Sequence, residues 1–209
     1  MEYIKVRKNK KYLLLILIGI FLIVISISFH LFDYINEVNY ENINQEKIEE
    51  FFEIENKDED IITNETKLED NKQNDIFMAV LEIPKINLKR GIYDKSNINN
   101  NVDKNIFILN ESILPSEEVN SHILLASHSG NSYISYFRNL YELNLNDKVY
   151  FYYQGIKYIY EISDKYEIEK TGTIKLSFDN QDDIALMTCI NNTNKQLIYR
   201  GILIEKIEY

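Results

Sequence analysis

Hydrophobic and polar positions divide the chain into three stretches of different periodicity. Residues 13–32, LLLILIGIFLIVISISFHLF, carry no charge, and Ser26, Ser28 and His30, the only polar side chains, sit toward the far end. About 20 apolar residues in a helix cross the hydrocarbon core of a bilayer, so this run predicts a transmembrane helix. From residue 33 to 75 the apolar pattern lapses, except that Ile48, Phe51, Phe52 and Glu55 keep helical spacing and allow a short helix. From Ile76 onward the period becomes two. FMAVLEIPKINL sets Met78, Val80 and Glu82 against Ala79, Leu81 and Ile83 before Pro84 breaks the strand. Runs at 105–109, 121–128, 148–154, 157–163, 183–189 and 196–207 follow, most of them rich in Ile, Val, Tyr or Phe. Gln154-Gly155 between two runs reads as a hairpin turn. Only YFRNLYELN, residues 136–144, has helical spacing, with Phe137, Leu140 and Tyr141 in step. Seven or eight strands and one short helix in 134 residues describe an all-β domain, a small barrel or sandwich. That length buries a sufficient core without metals or disulfides.

Charge sharpens the boundaries. Lys5, Arg7, Lys8, Lys10 and Lys11 precede the apolar run against the single acid Glu2, and positive flanks stay cytoplasmic. The expected order is a cytoplasmic basic segment (1–11), a transmembrane signal anchor (12–32) and an extracellular remainder. A cleaved signal peptide competes, because Ser26-Ile27-Ser28 imitates a cleavage site. The apolar run, however, exceeds the roughly 7–15 residues of a usual signal-peptide core. The net charge of −10 is unevenly placed: residues 33–75 hold 15 acids and 4 bases, whereas residues 76–209 hold 17 acids and 14 bases. Like charges in the acidic stretch resist collapse, which predicts an extended extracellular stalk (33–75) carrying a domain (76–209). That domain is near neutral and has no basic stripe, which excludes nucleic-acid binding.

Candidate chemistry is sparse. No P-loop, GxGxxG, CxxC, HExxH or GxSxG pattern occurs. Cys189 is the only cysteine, so it forms no internal disulfide; it is either a small buried apolar residue or a reactive thiol. His30 belongs to the apolar segment. In SHILLASHSGN, alternation puts His122, Leu124, Ala126 and His128 on one strand face, and His128 precedes a Ser129-Gly130-Asn131 turn. His122 would lie about 20 Å back along the strand, which makes it structural or a surface residue. Cys189 closes a second strand, DIALMTC, with Ala185 and Met187 on its face. A thiol of pKa about 8.5 is only a few per cent ionised at neutral pH, and an imidazole is its natural proton partner. Arg200 shares a strand face with Ile198, Ile202 and Ile204, where an unpaired guanidinium would cost many kcal/mol. It reads either as a donor to a developing oxyanion or as the partner of an acid such as Glu82 or Glu161.

These residues carry a resemblance. ALMTC resembles the TLxTC signature of sortases, the membrane-anchored cysteine transpeptidases of Gram-positive surfaces; LLASHSG resembles their histidine strand and YRGILI their arginine strand. The 61 residues from His128 to Cys189 and the 11 from Cys189 to Arg200 are similar to the family's spacing. IPKINLKRGIYDKS and YFRNLYELNLNDKV extend the likeness over residues 76–207. Two departures lie by the groove: Ala185 stands where the family usually has Thr, and Ser127 where Gly commonly precedes the histidine. The resemblance implies an eight-stranded β-barrel with one or two short helices behind the N-terminal transmembrane helix. It also implies cleavage of an LPxTG-like sorting signal between Thr and Gly. Transfer of the acyl group to a peptidoglycan precursor amine would then anchor surface proteins to the cell wall.

By the same resemblance, Cys189 is the nucleophile, His128 the acid and then the base, and Arg200 the holder of the oxyanion or peptide backbone. Thr188 would orient the site, and Ala126, Met187 and Ile202 would line the peptide's path. The chain ends at IEKIEY without a second apolar helix, which implies an anchoring member of the class A or D kind. Loops 164–183 and 190–196 are expected to set specificity. Some relatives bind calcium, and Asn110-Glu111, Asp179, Asp182 and Asp183 offer oxygens. Loop carboxylates are ordinarily just solvated, so no metal or other cofactor is expected. Two classes compete: an extracellular cysteine peptidase that only hydrolyses, and a non-catalytic β-barrel displayed for adhesion. An L,D-transpeptidase would need an arginine close after the cysteine in a glycine-flanked motif, which Cys189-Ile190-Asn191 does not match.

Overall fold

The computed structural model describes residues 10–55, 76–116, 119–171 and 181–209. The chain divides into two compact units, Met1–Asn42 and Ile43–Tyr209. Within the first lies the apolar run, part of helix α1 (Lys10–Glu55). By length and composition this helix can cross a membrane, and its most apolar window is unburied.

The second unit begins with the last turns of α1. Ile48 and Phe51 are buried there with Phe77, Val80 and Tyr93, while Phe52 and Tyr152 pack at the margin. The Asn44 side chain donates to the Lys89 carbonyl (3.0 Å) and accepts the Gly91 N–H (3.2 Å). It thereby pairs backbone groups that an edge strand would otherwise leave open. So the described part of the acidic stretch is helical as far as Glu55, and from Ile43 it belongs to the second compact unit. The reason is an apolar stripe at helical spacing, which outweighs like-charge repulsion once it has a surface to cover. Residues 56–75 of the expected stalk, and most of the basic segment 1–11, lie outside the described residues.

Eight strands form one sheet: β1 (Ala79–Ile83), β2 (Leu88–Ile92), β3 (Phe107–Ile108), β4 (His122–Ala126), β5 (Lys148–Tyr153), β6 (Ile156–Glu169), β7 (Asp183–Cys189) and β8 (Lys195–Glu208). Their order is β2-β1-β5-β6-β8-β7-β4-β3, curled into a nearly closed barrel. Every strand pair is antiparallel except β4 with β7. Alternation sends Ile123 and Leu125 of β4, Ile184 and Leu186 of β7, and Leu197 and Tyr199 of β8 into the barrel core. Their neighbours Leu124, Ala185, Met187 and Ile198 form a separate apolar cluster on the outer face. Strand β6 serves both. Tyr160 and Ile162 point inward, a register shift follows between Ile162 and Asp164, and Tyr166 and Ile168 then join the outer cluster.

Local chemistry accounts for the departures from the sequence pattern. Strand β2 is interrupted by Lys89-Arg90-Gly91, yet it forms because it pairs with β1 along its whole length. Arg90 is buried and donates to the Asn105 side chain and the Tyr136 hydroxyl, both at 2.9 Å. The helical spacing at 136–144 yields one 3-10 turn, Leu140–Glu142. Three residues per turn align Phe137, Leu140 and Leu143 in the core and leave Tyr141 exposed. A second 3-10 turn is Pro84–Ile86. The hairpin stands at Gln154-Gly155, with φ of 50° and 71°, the left-handed pair that a two-residue turn requires.

Gly91 marks the closest approach beneath α1. A Cβ there would fall 2.0 Å from the Phe77 ring, itself packed against the helix. Gly91→Ala is expected to lower unfolding stability by about 1–3 kcal/mol, read as a shift in urea midpoint at constant slope.

Candidate active site

The parallel pairing of β4 with β7 builds the site. Ala126 is level with Met187, and the Ser127 N–H donates to the Met187 carbonyl at 3.2 Å. Continuing that register brings His128 level with Cys189. Two hydroxyls clamp the strand ends. Thr188 Oγ1, buried, donates to the Ser127 carbonyl (2.8 Å), and Ser129 Oγ donates to the Cys189 carbonyl (2.5 Å). Both candidate side chains are accessible: Cys189 is half-buried and the His128 side chain is 41% exposed. The imidazole does not bond the thiol; its Nε2 lies 2.9 Å from Asp103 Oδ1. A carboxylate only accepts, so Nε2 carries the hydrogen. Such an exposed pair is worth about 0–1 kcal/mol and releases easily.

Arg200 is absent from this end. It pairs with Ala185, while Cys189 pairs with Gln196. Four residues of strand, about 13 Å, separate Arg200 from the level of the thiol. Its Nε donates to Asp183 Oδ2 at 2.8 Å, and the other oxygen of Asp183 lies 2.8 Å from His122 Nδ1. Asp183, which joins the two, is 4% exposed. To hold an oxyanion at Cys189, the Arg200 guanidinium would have to leave Asp183. The arginine forms an ion pair with Asp183 and not with the acids named from the sequence: Glu82 accepts from Tyr152 and Glu161 pairs with Lys148. Asp183 prevails because it sits two residues beyond the level of Arg200 on the adjoining strand, opposite Ile202 and on the same face. His122 is buried rather than on the surface.

The other expected groove residues divide. Ala126 and Met187 belong to the outer apolar cluster that leads to Cys189, and Thr188 ties the two strand ends together. Ile202 pairs with Asp183, about 20 Å along the strand from the level of Cys189, and does not line the same end. From the other side Tyr166 and Ile168 complete the cluster. They belong to β6, which runs to Glu169, so the segment 164–183 is less a loop than expected; residues 172–180 lie outside the described residues. The period-two pattern of Asp164, Tyr166 and Ile168 was the available signal.

Two of the acids considered for calcium, Asp182 and Asp183, have partners. Asp182 accepts the Ser121 N–H (2.6 Å) and hydroxyl (2.8 Å) and faces Lys206 at 3.6 Å. Burial pushes its carboxyl up, but the Ser121 bonds and the Lys206 charge together hold it below the ordinary value. Among the described residues no group of three or more His, Cys, Asp or Glu is placed to hold a metal; Asp179 lies outside them. An open hollow lined by Pro115, Asn120, Tyr158, Asp182 and Lys206 is at the opposite end of β7 from Cys189.

Comparison with known proteins adds an independent line. The sortase domain model matches residues 81–204. Among solved structures, the chain is similar to a lid mutant of sortase A from Corynebacterium diphtheriae, at 26% identity and TM-score 0.55, covering 61% of this chain and 70% of that one. It is similar to a Clostridium perfringens Sortase D5 transpeptidase at 19% identity and TM-score 0.58, covering 78% and 99%. It is also similar to sortase C1 of Streptococcus agalactiae at 25% identity and TM-score 0.54, covering 63% and 69%. The likenesses span sortases named A, C and D and single out none of these. None of the curated proteins compared matches in sequence.

Proposed function

Because the chain belongs to the sortase family, we propose that it is a cysteine transpeptidase acting outside the cell on sorting peptides. The observation that carries this reading is the register that sets His128 level with Cys189 at an accessible strand end. In the proposed reaction the thiolate of Cys189 attacks the carbonyl of the residue before the scissile bond. The C–N bond breaks as His128, protonated, gives its proton to the leaving nitrogen. An incoming amine, losing its proton to His128, attacks the thioester and releases the thiolate, which restores the starting pair. The apolar outer face formed by Ala126, Met187 and Ile198, walled by Tyr166 and Ile168, suits the aliphatic part of an LPxTG-like peptide.

Helix α1 supplies the membrane anchor in this reading, with the basic N-terminus inside and the barrel outside. The accepting group is an amine of a peptidoglycan precursor, and the product is a surface protein joined to the wall. No cofactor takes part: a thiol, an imidazole and hydrogen-bond donors suffice for acyl exchange.

Full-length protein in detergent, given quenched LPxTG-type pentapeptides with and without triglycine, tests this. The expected result is cleavage together with a new peptide–triglycine amide. Cleavage with product yields unchanged by triglycine indicates a peptidase. No cleavage and no alkylation of Cys189 by iodoacetamide indicates a non-catalytic barrel.

A further inference from the structure

We propose that Asp103 is a positioning residue for His128: it holds the ring by Nε2–H and leaves Nδ1 as the nitrogen that gives and takes the proton. The inference rests on the acyl-transfer reading above and deepens it. His128 Nε2 lies 2.9 Å from Asp103 Oδ1, and a carboxylate only accepts. Among the described residues Nδ1 has no hydrogen-bond partner. Neighbouring strands stand about 4.8 Å apart, and Nδ1 is bonded to the ring carbon next to Cβ. With His128 level with Cys189, Nδ1 is therefore the nitrogen on the strand side of the ring, and Nε2 is the one at its outer end.

The turn that delivers Asp103 is anchored on both sides of it. Asn105 is 2% exposed; its amide donates to the Gly91 carbonyl at 2.8 Å and accepts from the buried Arg90 at 2.9 Å, which ties the turn to β2. The Tyr136 hydroxyl donates to the Lys104 carbonyl at 3.3 Å. Before Asp103, the Asn101 side chain accepts the Asp103 N–H at 2.9 Å, and the Asn101 carbonyl accepts the N–H groups of Lys104 and Asn105 at 2.9 and 2.8 Å. The backbone is pinned while the carboxylate is exposed and reaches the ring. Lys104 does not compete for it, because its ammonium faces the Ile98 carbonyl at 3.3 Å and the Asn99 side chain at 3.4 Å. Ser129, the residue after His128, is engaged by the Cys189 carbonyl and by Asn191, and neither holds the ring.

An ion pair this exposed adds little to stability, but it fixes which nitrogen meets the substrate, and catalysis is sensitive to such placement. In the first half-reaction the imidazolium carries hydrogens on both nitrogens. The Nδ1 hydrogen passes as a proton to the leaving nitrogen while the C–N bond breaks, and the N–H pair stays on Nδ1. In the second half-reaction the incoming amine bonds the thioester carbon, the C–S pair returns to sulfur, and the amine's proton goes to the Nδ1 lone pair. Nε2–H stays on Asp103 throughout, so the cycle needs no further reactant.

The test compares the parent with Asp103→Ala and Asp103→Asn as full-length proteins in detergent. It reads kcat and KM separately for triglycine transfer, the melting temperature, and the ¹⁵N shifts of the neutral His128 ring, assigned by their loss in His128→Ala. The parent should show a protonated Nε2 and a bare Nδ1. Asp103→Ala should lose about three- to tenfold in kcat, with KM within about twofold and melting unchanged. Its two ring shifts should move toward each other as the other tautomer gains population. Asp103→Asn still offers an accepting oxygen and should restore kcat to within about twofold of the parent. The inference is overturned if Asp103→Ala loses less than about threefold in kcat, if the loss falls on KM instead, if Asp103→Asn is as poor as Asp103→Ala, or if the parent carries its hydrogen on Nδ1. A parent that turns over no peptide defeats the transfer reading itself. The ring shifts need no peptide and then decide alone whether Asp103 holds His128 through Nε2.

Discussion

Replacing Cys189 by alanine should reduce peptide cleavage by at least about a thousandfold while leaving the fold intact. The residue is half-buried at a strand end, so the change removes a nucleophile and little packing. His128→Ala should cost about 10²–10⁴-fold, the usual span for a positioned acid–base group. Its ring is exposed and its bond to Asp103 is weak, so melting should again barely move. The two losses should not add: thiolate attack and proton delivery belong to one sequence, and the double variant should resemble the worse single one. Either alanine variant cleaving near the parent rate would remove that residue from the mechanism.

Asp183→Ala should be the most damaging substitution for stability. This carboxylate receives the Arg200 guanidinium on one oxygen and the His122 ring on the other while almost wholly buried. Removing it leaves a guanidinium without its carboxylate inside the sheet, a change that typically costs about 3–5 kcal/mol. For a domain of this size that corresponds to roughly 10–15 °C in melting temperature. The pair is a poor candidate for net stabilisation, however. Asp183→Leu combined with Arg200→Met should recover most of the loss, because two matched apolar groups avoid the desolvation that the ions require. A single Asp183→Ala variant melting within 2 °C of the parent would show that the cluster is not a buried ion network.

Much of the barrel was legible in the sequence because alternation reports directly on which face a strand buries. Ala79, Leu81 and Ile83 enter the core as their spacing indicates, and the Gln154-Gly155 hairpin falls where its turn chemistry puts it. Strand β2 was not legible, since its ordering depends on partners distant in sequence: Asn44 at its edge and Asn105 and Tyr136 around Arg90. The helical extension to Glu55 was half legible. Ile48, Phe51 and Phe52 gave its spacing, but no local signal says that the barrel offers them a surface.

Arg200 teaches the sharper lesson. Its spacing from Cys189 and its aliphatic flanks were legible, but its ion pair with Asp183 was not, because that pair depends on register, and register depends on the length of the turn between β7 and β8. Asn192, at φ 60°, helps close a short connection that sets Gln196 opposite the thiol and leaves Arg200 four residues beyond. Asp103 carried no sequence signal, because a loop 25 residues upstream delivers it to His128.

The account turns on a covalent bond at one sulfur. Intact-protein mass spectrometry of the full-length chain, quenched in acid seconds after mixing with an LPxTG-type peptide, measures it directly. The expected result is a mass gain equal to the acyl fragment, mapped to Cys189, cleaved by hydroxylamine, missing in Cys189→Ala and discharged by added triglycine. Peptide turnover with no adduct on Cys189, or an adduct that triglycine leaves in place, would contradict it.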